Sequence, residues 1–140
     1  MTAPEPWLRG PLEGVDPLLA PVLHSFQQAR EDLALHTEGL TPEQLWARPH
    51  GLGPAGFHIR HIAGSVDRLI TYAGGRQLSG EQLAQTRAEM EPGAGREELL
   101  AAVEAAFARA EAVVSALDPA ALRTPREVGR KRLPTTVAGL

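Results

Sequence analysis

The stretch Phe57-His58-Ile59-Arg60-His61-Ile62-Ala63-Gly64-Ser65-Val66-Asp67 carries the strongest structural signal in this chain. Apolar residues recur through and beyond it at positions 59, 62, 66, 69 and 73, the spacing of one helix face. This period predicts an amphipathic helix over about residues 55–73. His58 and His61 lie three positions apart on the flank of the apolar face. The chain has no cysteine, and imidazole is the side chain best suited to hold a divalent transition metal when thiolate is absent.

Two further long helices are predicted on either side of this segment. One begins at the Asp16-Pro17 cap and ends at Gly39, and the other covers residues 96–117. Three long amphipathic helices predict an all-α protein built as a helical bundle. Their apolar positions recur at helical spacing: Leu19, Val22, Leu23, Phe26, Ala29 and Leu33 in the first, and Leu99, Val103, Ala106, Phe107, Ala110, Val113 and Leu117 in the last.

Two shorter helical segments are predicted to begin at capping boxes. In each, a hydroxyl residue caps the first turn, and a glutamine three positions later reaches back to the cap. Thr41 and Gln44 form the first pair, and Ser79 and Gln82 form the second. The first segment is expected to end at Arg48-Pro49, and the second is expected to continue to about residue 90.

The two ends of the chain are expected to differ from this helical middle. Residues 1–15 are rich in proline and predict an extended arm, pinned to the bundle by Trp7 and Leu8. The basic residues 123–134 predict a loop or a short extended piece, and residues 134–140 look like the cap and first turn of another helix. We therefore expect residues 16–140 to form a four-helix bundle whose fourth helix is largely missing from this chain, as in a truncated form.

Composition narrows the functional class. A length of 140 residues suits one domain, and 43% hydrophobic residues with only 4% aromatics suit packed helices better than a β-sandwich. A net charge of -3 gives no field that attracts nucleic acid. The N-terminus lacks a signal-peptide pattern, and no apolar run approaches the roughly 20 residues of a membrane span. We expect a cytoplasmic protein with neither a nucleic-acid nor a membrane partner.

Two interpretations of His58 and His61 remain open on the residues alone. In the first, both line a groove between helices, where bundles build metal and ligand sites. In the second, both are half-buried and satisfied by Ser65, Tyr72 or a backbone carbonyl, as most buried polar groups are. The opposite face of the helix is expected to lie in solvent, and it carries Arg60, Asp67 and Thr71.

The other three histidines offer weaker candidates. His24 projects away from the apolar stripe of its helix and is predicted to be exposed. His36 lies near a helix C-terminus, where a histidine suits the helix dipole for structural reasons. His50 lies in a loop rich in glycine and proline.

Four segments together resemble the DinB-like superfamily of four-helix-bundle proteins. They are residues 40–45, the loop 49–56, the histidine segment 60–69, and residues 133–140. In such proteins, one histidine of the second helix joins a His-x-x-x-His pair on the fourth helix to hold a divalent metal. The resemblance implies that His61 is the ligand from the second helix and that His58 is an extra imidazole beside it. Nothing in this chain matches the pair on the fourth helix.

The resemblance also implies a function. The implied function is that of an enzyme acting on a small-molecule substrate. The enzyme would be a metal-dependent hydrolase or a transferase that uses a low-molecular-weight thiol. Three neutral imidazoles would leave an open position on Ni²⁺ or Zn²⁺, where water or a thiol binds and loses a proton near neutral pH. With two ligands missing, this chain is expected to bind the metal weakly or not at all. A form extended past Leu140 is expected to carry two histidines four residues apart.

A non-catalytic helical module is the alternative. In that case His58 and His61 serve packing only, and the open seam is covered by another protein or by a second copy of the chain, which would make a homodimer. Val103, Phe107 and their counterparts on the first long helix would then form the contact between the two copies.

Overall fold

The computed structural model describes residues 3–140, and its long helices pack side by side. The five α-helices are α1 (Ala20–His36), α2 (Pro42–Trp46), α3 (Ala55–Ala73), α4 (Gly80–Ala88) and α5 (Arg96–Ser115). Strands β1 (Pro125–Val128) and β2 (Leu133–Thr136) form a two-stranded antiparallel sheet. Short 3-10 turns occupy Pro6–Leu8, Pro49–Gly51, Pro119–Arg123 and Val137–Gly139. The predicted all-α class is confirmed, and no helix within residues 3–140 has both the length and the apolar character needed to cross a bilayer.

The two short helices begin at the capping boxes predicted for them. The Gln44 amide donates to the Thr41 hydroxyl at 3.3 Å, and the Thr41 amide donates to Gln44 Oε1 at 2.9 Å. The Ser79 and Gln82 pair repeats this exchange at 3.1 and 3.0 Å. Each box satisfies two backbone donors that would otherwise have no partner in the first turn.

The core lies where α3 and α1 pack on α5. Leu45, Ile59 and Leu99 are buried there, and the Phe26 and Phe107 rings stack with their centroids 4.7 Å apart. The predicted contact between two copies through Val103 and Phe107 is wrong, because both side chains are buried inside this core. Their apolar surface is already covered by the chain's own helices.

The N-terminal arm is held against the bundle by an ion pair to α1 and by the apolar residues Leu12 and Val15, which pack on the core. Trp7 and Leu8 are 61% and 57% exposed, so the predicted pinning by these two side chains is wrong. Instead, the Arg9 guanidinium donates to both carboxylate oxygens of Glu31 on α1, at 2.6 and 2.7 Å. These hydrogen bonds, with one from Gln27, lower the pKa of Glu31 to about 2.

The predicted basic loop or extended piece near the C-terminus is the β1–β2 hairpin. Its register pairs Pro125 with Thr136, and Arg126 fastens it to the end of α3 by donating to the carbonyl of Ala73 at 2.6 Å. The predicted cap and helical turn are shifted, because residues 133–136 belong to β2. Thr136 instead caps a 3-10 turn by accepting from the Gly139 amide at 3.2 Å.

Candidate functional site

His61 lies on α3, and its partner is a carboxylate from the end of α4. Its ring Nδ1 is 2.8 Å from Glu89 Oε2. Half of the His61 side chain is exposed, and the Phe57 ring stacks on it with a centroid distance of 5.6 Å. The other ring nitrogen, Nε2, has no hydrogen-bond partner among residues 3–140. His61 is therefore held through Nδ1, and within residues 3–140 its Nε2 is unpaired on a half-exposed ring.

Glu89 is a buried carboxylate that is itself held in place. Its side chain is only 7% exposed, and Arg68 Nη1 donates to its Oε1 at 2.7 Å. The same Arg68 nitrogen donates to the Thr86 hydroxyl at 2.9 Å. Burial raises the pKa of the Glu89 carboxyl, but the hydrogen bonds from Arg68 and His61 outweigh burial and hold that pKa below its ordinary value. Glu89 is thus an anion with a fixed position.

Gly64 makes room for this ion pair on the surface of α3. A Cβ atom at position 64 would lie 2.5 Å from Glu89 Oε1 and 2.8 Å from Arg68 Nη1. A carbon atom does not approach a side-chain oxygen or nitrogen so closely. Any larger residue at position 64 would therefore push the side chains of Glu89 and Arg68 away from the helix. The absence of a side chain at Gly64 therefore lets the carboxylate reach His61.

A row of polar contacts between α3 and α4 sets the position of Glu89. Gln82 Nε2 donates to Asp67 and to the Thr71 hydroxyl, both at 2.8 Å. The contact of Thr86 with Arg68 and that of Glu89 with His61 follow along the two antiparallel helices. The prediction that this face of α3 lies in solvent is wrong, because α4 covers it.

Arg60 takes part in the same packing. It donates to the backbone carbonyls of Ala88 and Glu91, and its guanidinium carbon lies 4.8 Å from the centroid of the Trp46 ring. These contacts secure the end of α4, where Glu89 is its C-cap residue. The arginine predicted to lie in solvent therefore supports the carboxylate that holds His61.

His58 is exposed and does not share the Glu89 carboxylate. Its ring meets the Phe57 ring edge-on at a centroid distance of 5.0 Å, and its Nε2 faces Gly53 of the preceding loop. Ser65 and Tyr72, suggested as partners of the two histidines, have other roles: the Ser65 hydroxyl donates to the Ile62 carbonyl, and Tyr72 is buried. The structure therefore satisfies one histidine of the pair, His61, through a residue that none of these predictions named.

The remaining histidines lie apart from this constellation. His24 is half-buried in a cleft between α1 and the N-terminal arm, so the prediction that it is exposed is wrong. His36 ends α1 as expected, and His50 is exposed in the loop before α3. Within residues 3–140, no three histidine, aspartate or glutamate side chains come close enough together to hold a metal ion.

Sequence reasoning missed Glu89, although a signal for it exists. Gln82, Thr86 and Glu89 are spaced by four and three residues, which places them on one helix face. On α3, His61 and Arg68 lie seven residues apart and also share a face. Two polar helix faces joined by a short Gly74-Gly75 turn indicate that the two helices pack antiparallel through these faces. Such packing predicts that Glu89 lies close to His61.

A groove of about 280 Å³ lies on another side of the bundle, between α1, α3 and α5. Its walls are aliphatic, and one end is closed by Leu122, Val137 and Leu140 from the C-terminal part of the chain. Four of its large side chains remain exposed, namely Leu18, Val22, Leu69 and Val113. This groove is the open seam of the bundle.

Comparison with known proteins agrees with the helical architecture. A family model described as the DinB superfamily matches residues 25–140, which include all five helices except the first five residues of α1, together with the hairpin. No curated protein matches the chain.

Proposed function

The chain belongs to the DinB superfamily, and on that premise we propose that it serves as a divalent-metal-dependent hydrolase or a low-molecular-weight-thiol transferase. Members of this superfamily are often metal-binding. The observation that carries the proposal is the environment of His61. Its Nδ1 is held at 2.8 Å by the buried Glu89, whereas Nε2 belongs to a half-exposed ring and has no hydrogen-bond partner among residues 3–140. Metal-ligating histidines commonly give their second ring nitrogen to a carboxylate in this way.

Residues 3–140 fit one coordination position of such a site and not the whole of it. Catalytic zinc sites take three protein ligands and leave a further position open, but no group of three potential ligands is assembled within these residues. His58 is the other imidazole at this end of α3, and it faces away toward Gly53. On this proposal, a complete site needs further ligands besides His61. Bound there, the metal would activate water or a thiol.

Metal titration of His61→Ala tests the proposal. We expect the chain to bind Zn²⁺ or Ni²⁺ weakly, and the substitution to lower that affinity by about tenfold or more, because it removes the accessible nitrogen donor. Equilibrium dialysis with elemental analysis measures the bound metal. His36→Ala, which removes an exposed imidazole at the end of α1, is the matched control. Equal metal binding by the two variants would contradict the role of His61.

The apolar groove favours a second candidate function, a non-catalytic helical module that pairs with a second copy. Burial of its exposed aliphatic side chains would contribute about 25 cal/mol for each Å² removed from water. This function requires a dimer in sedimentation velocity at micromolar concentration and a monomer for Leu69→Glu. Leu35→Glu, at an exposed leucine that does not line the groove, should remain dimeric. A wild-type monomer contradicts this second candidate.

A further inference from the structure

We infer that Glu89 is a positioning residue that sets the tautomer of His61, placing the ring proton on Nδ1 and leaving the Nε2 lone pair open to solvent. The inference deepens the proposed function. It rests on that function only where Nε2 is taken to bind a metal ion. The arrangement of donors and acceptors around the carboxylate supports it independently of any metal.

The hydrogen-bond donors and acceptors around Glu89 allow one position for the ring proton of neutral His61. Arg68 can only donate, and it occupies Glu89 Oε1 at 2.7 Å. Glu89 Oε2 faces His61 Nδ1 at 2.8 Å, and a carboxylate paired with a guanidinium accepts without donating. The contact is therefore a hydrogen bond only if Nδ1 carries the proton. A neutral imidazole has one ring proton, so Nε2 is then an acceptor.

The surroundings of Glu89 make this preference strong. The carboxylate is almost completely withdrawn from water, and hydrogen bonds strengthen where the local dielectric is low. Arg68 is also tied to Thr86, and the helix surface at Gly64 lies directly beneath the pair. Because contacts on two sides fix the position of the carboxylate, it determines the orientation and the tautomer of the His61 ring.

The substitution Glu89→Gln separates positioning from a purely structural ion pair. The Arg68 guanidinium still needs an acceptor, so the amide oxygen of the new side chain stays with Arg68. Its NH2 group then faces His61 Nδ1, which must accept, and the ring proton moves to Nε2. The variant keeps the shape of the side chain and inverts the tautomer.

Nitrogen-15 NMR of the histidine rings, at a pH where they are neutral, measures this inversion without added metal. We expect His61 to be protonated at Nδ1 in the natural chain and at Nε2 in Glu89→Gln. His58, which does not contact Glu89, should keep the same tautomer in both and is the internal control. A His61 ring protonated at Nε2 in the natural chain, or unchanged by the substitution, overturns the inference.

Gly64→Ala provides a second variant that retains every charge. The added methyl group would lie 2.5 Å from Glu89 Oε1, so the carboxylate must shift from its present position, while alanine favours the helix over glycine. We expect the fold to be retained and His61 to lose its single tautomer. Gly80→Ala, at a helix position with no atom within 4 Å of an added Cβ, is the matched control and should leave His61 unchanged. A crystal structure of the variant shows where the carboxylate lies. A uniform Nδ1 tautomer with the carboxylate out of contact with Nδ1, or a mixed tautomer with the contact kept, overturns the inference.

Addition of ZnCl2 to the same samples distinguishes this inference from the proposed function. If His61 has the expected tautomers but Zn²⁺ does not shift its resonances, the positioning role stands and the metal function fails. If Zn²⁺ binds at Nε2, Glu89→Gln should weaken binding by about 10-fold to 100-fold, the usual effect of removing a partner of a metal ligand. Equal Zn²⁺ affinity in both chains would contradict a positioning role toward the metal.

Discussion

Phe107→Ala should lower the free energy of unfolding by about 3–5 kcal/mol, the range for removing a large buried aromatic side chain. The Phe107 ring is 1% exposed and stacks on Phe26 at 4.7 Å. The Arg30 guanidinium also lies over it, 5.3 Å from the ring centroid. Truncation leaves a cavity where α1 meets α5, and the helices cannot close it without losing their contacts with α3. Urea denaturation followed by circular dichroism measures the loss.

Leu35→Ala is the matched control for this experiment. It also truncates an apolar side chain, but Leu35 on α1 is 64% exposed, so its effect should stay within about 0.5 kcal/mol. A loss in Phe107→Ala no larger than that of the control would mean that the three long helices are not organised around this ring. Because a domain of this size has about 5–15 kcal/mol of stability, the expected loss is a large share of the total.

Glu89→Ala should lower the free energy of unfolding by about 2–4 kcal/mol, although it removes a charged side chain. The Arg68 side chain, which is 15% exposed, would then lie largely buried without its carboxylate partner. Removing one member of a buried ion pair costs about 3–5 kcal/mol because the other charge is left uncompensated. The expected value is somewhat lower because Arg68 keeps its hydrogen bond to Thr86. Urea denaturation at neutral pH measures the difference.

Glu91→Ala is the control for charge, since this exposed glutamate follows Glu89 by two positions and its side chain has no ion pair within residues 3–140. Its effect should lie within about 0.5 kcal/mol. In the double variant Glu89→Ala with Arg68→Met, part of the stability should return, because no buried charge is left unpaired. Similar losses in Glu89→Ala and Glu91→Ala would show that the buried pair contributes little.

The existence of the five helices and most of their approximate limits could be predicted because their causes are local. The exceptions are α1, which begins at Ala20 and not at the predicted Asp16-Pro17 cap, and the predicted last turn, part of which belongs to β2. The spacing of Ile59 with its neighbours, and that of Leu99 with Phe107, sets which face of each helix is apolar. The capping boxes at Thr41 and Ser79 each need only four consecutive residues, and both appear as predicted. His61 could also be identified as a candidate residue from the sequence, because its position in the histidine segment resembles the family pattern.

The partner of His61 could not be predicted in the same way. Glu89 lies 28 residues further along the chain, and it reaches the imidazole only because α4 returns antiparallel to α3. Periodicity showed that Arg60, Asp67 and Thr71 avoid the apolar core. It did not show that another helix covers them. A polar face can pair with water or with a second polar face, and the residues of one helix alone do not distinguish the two.

Local preferences and apolar spacing are properties of neighbouring residues, so the number, type and approximate limits of the helices follow from the chain read in order. The environment of a functional side chain depends on which distant segment is brought against it. The burial of Glu89, its hydrogen bond to His61 and the need for Gly64 beneath it arise only when α3 and α4 are packed together. That packing depends on contacts between residues that are far apart in the chain. The order of the residues alone therefore does not show it.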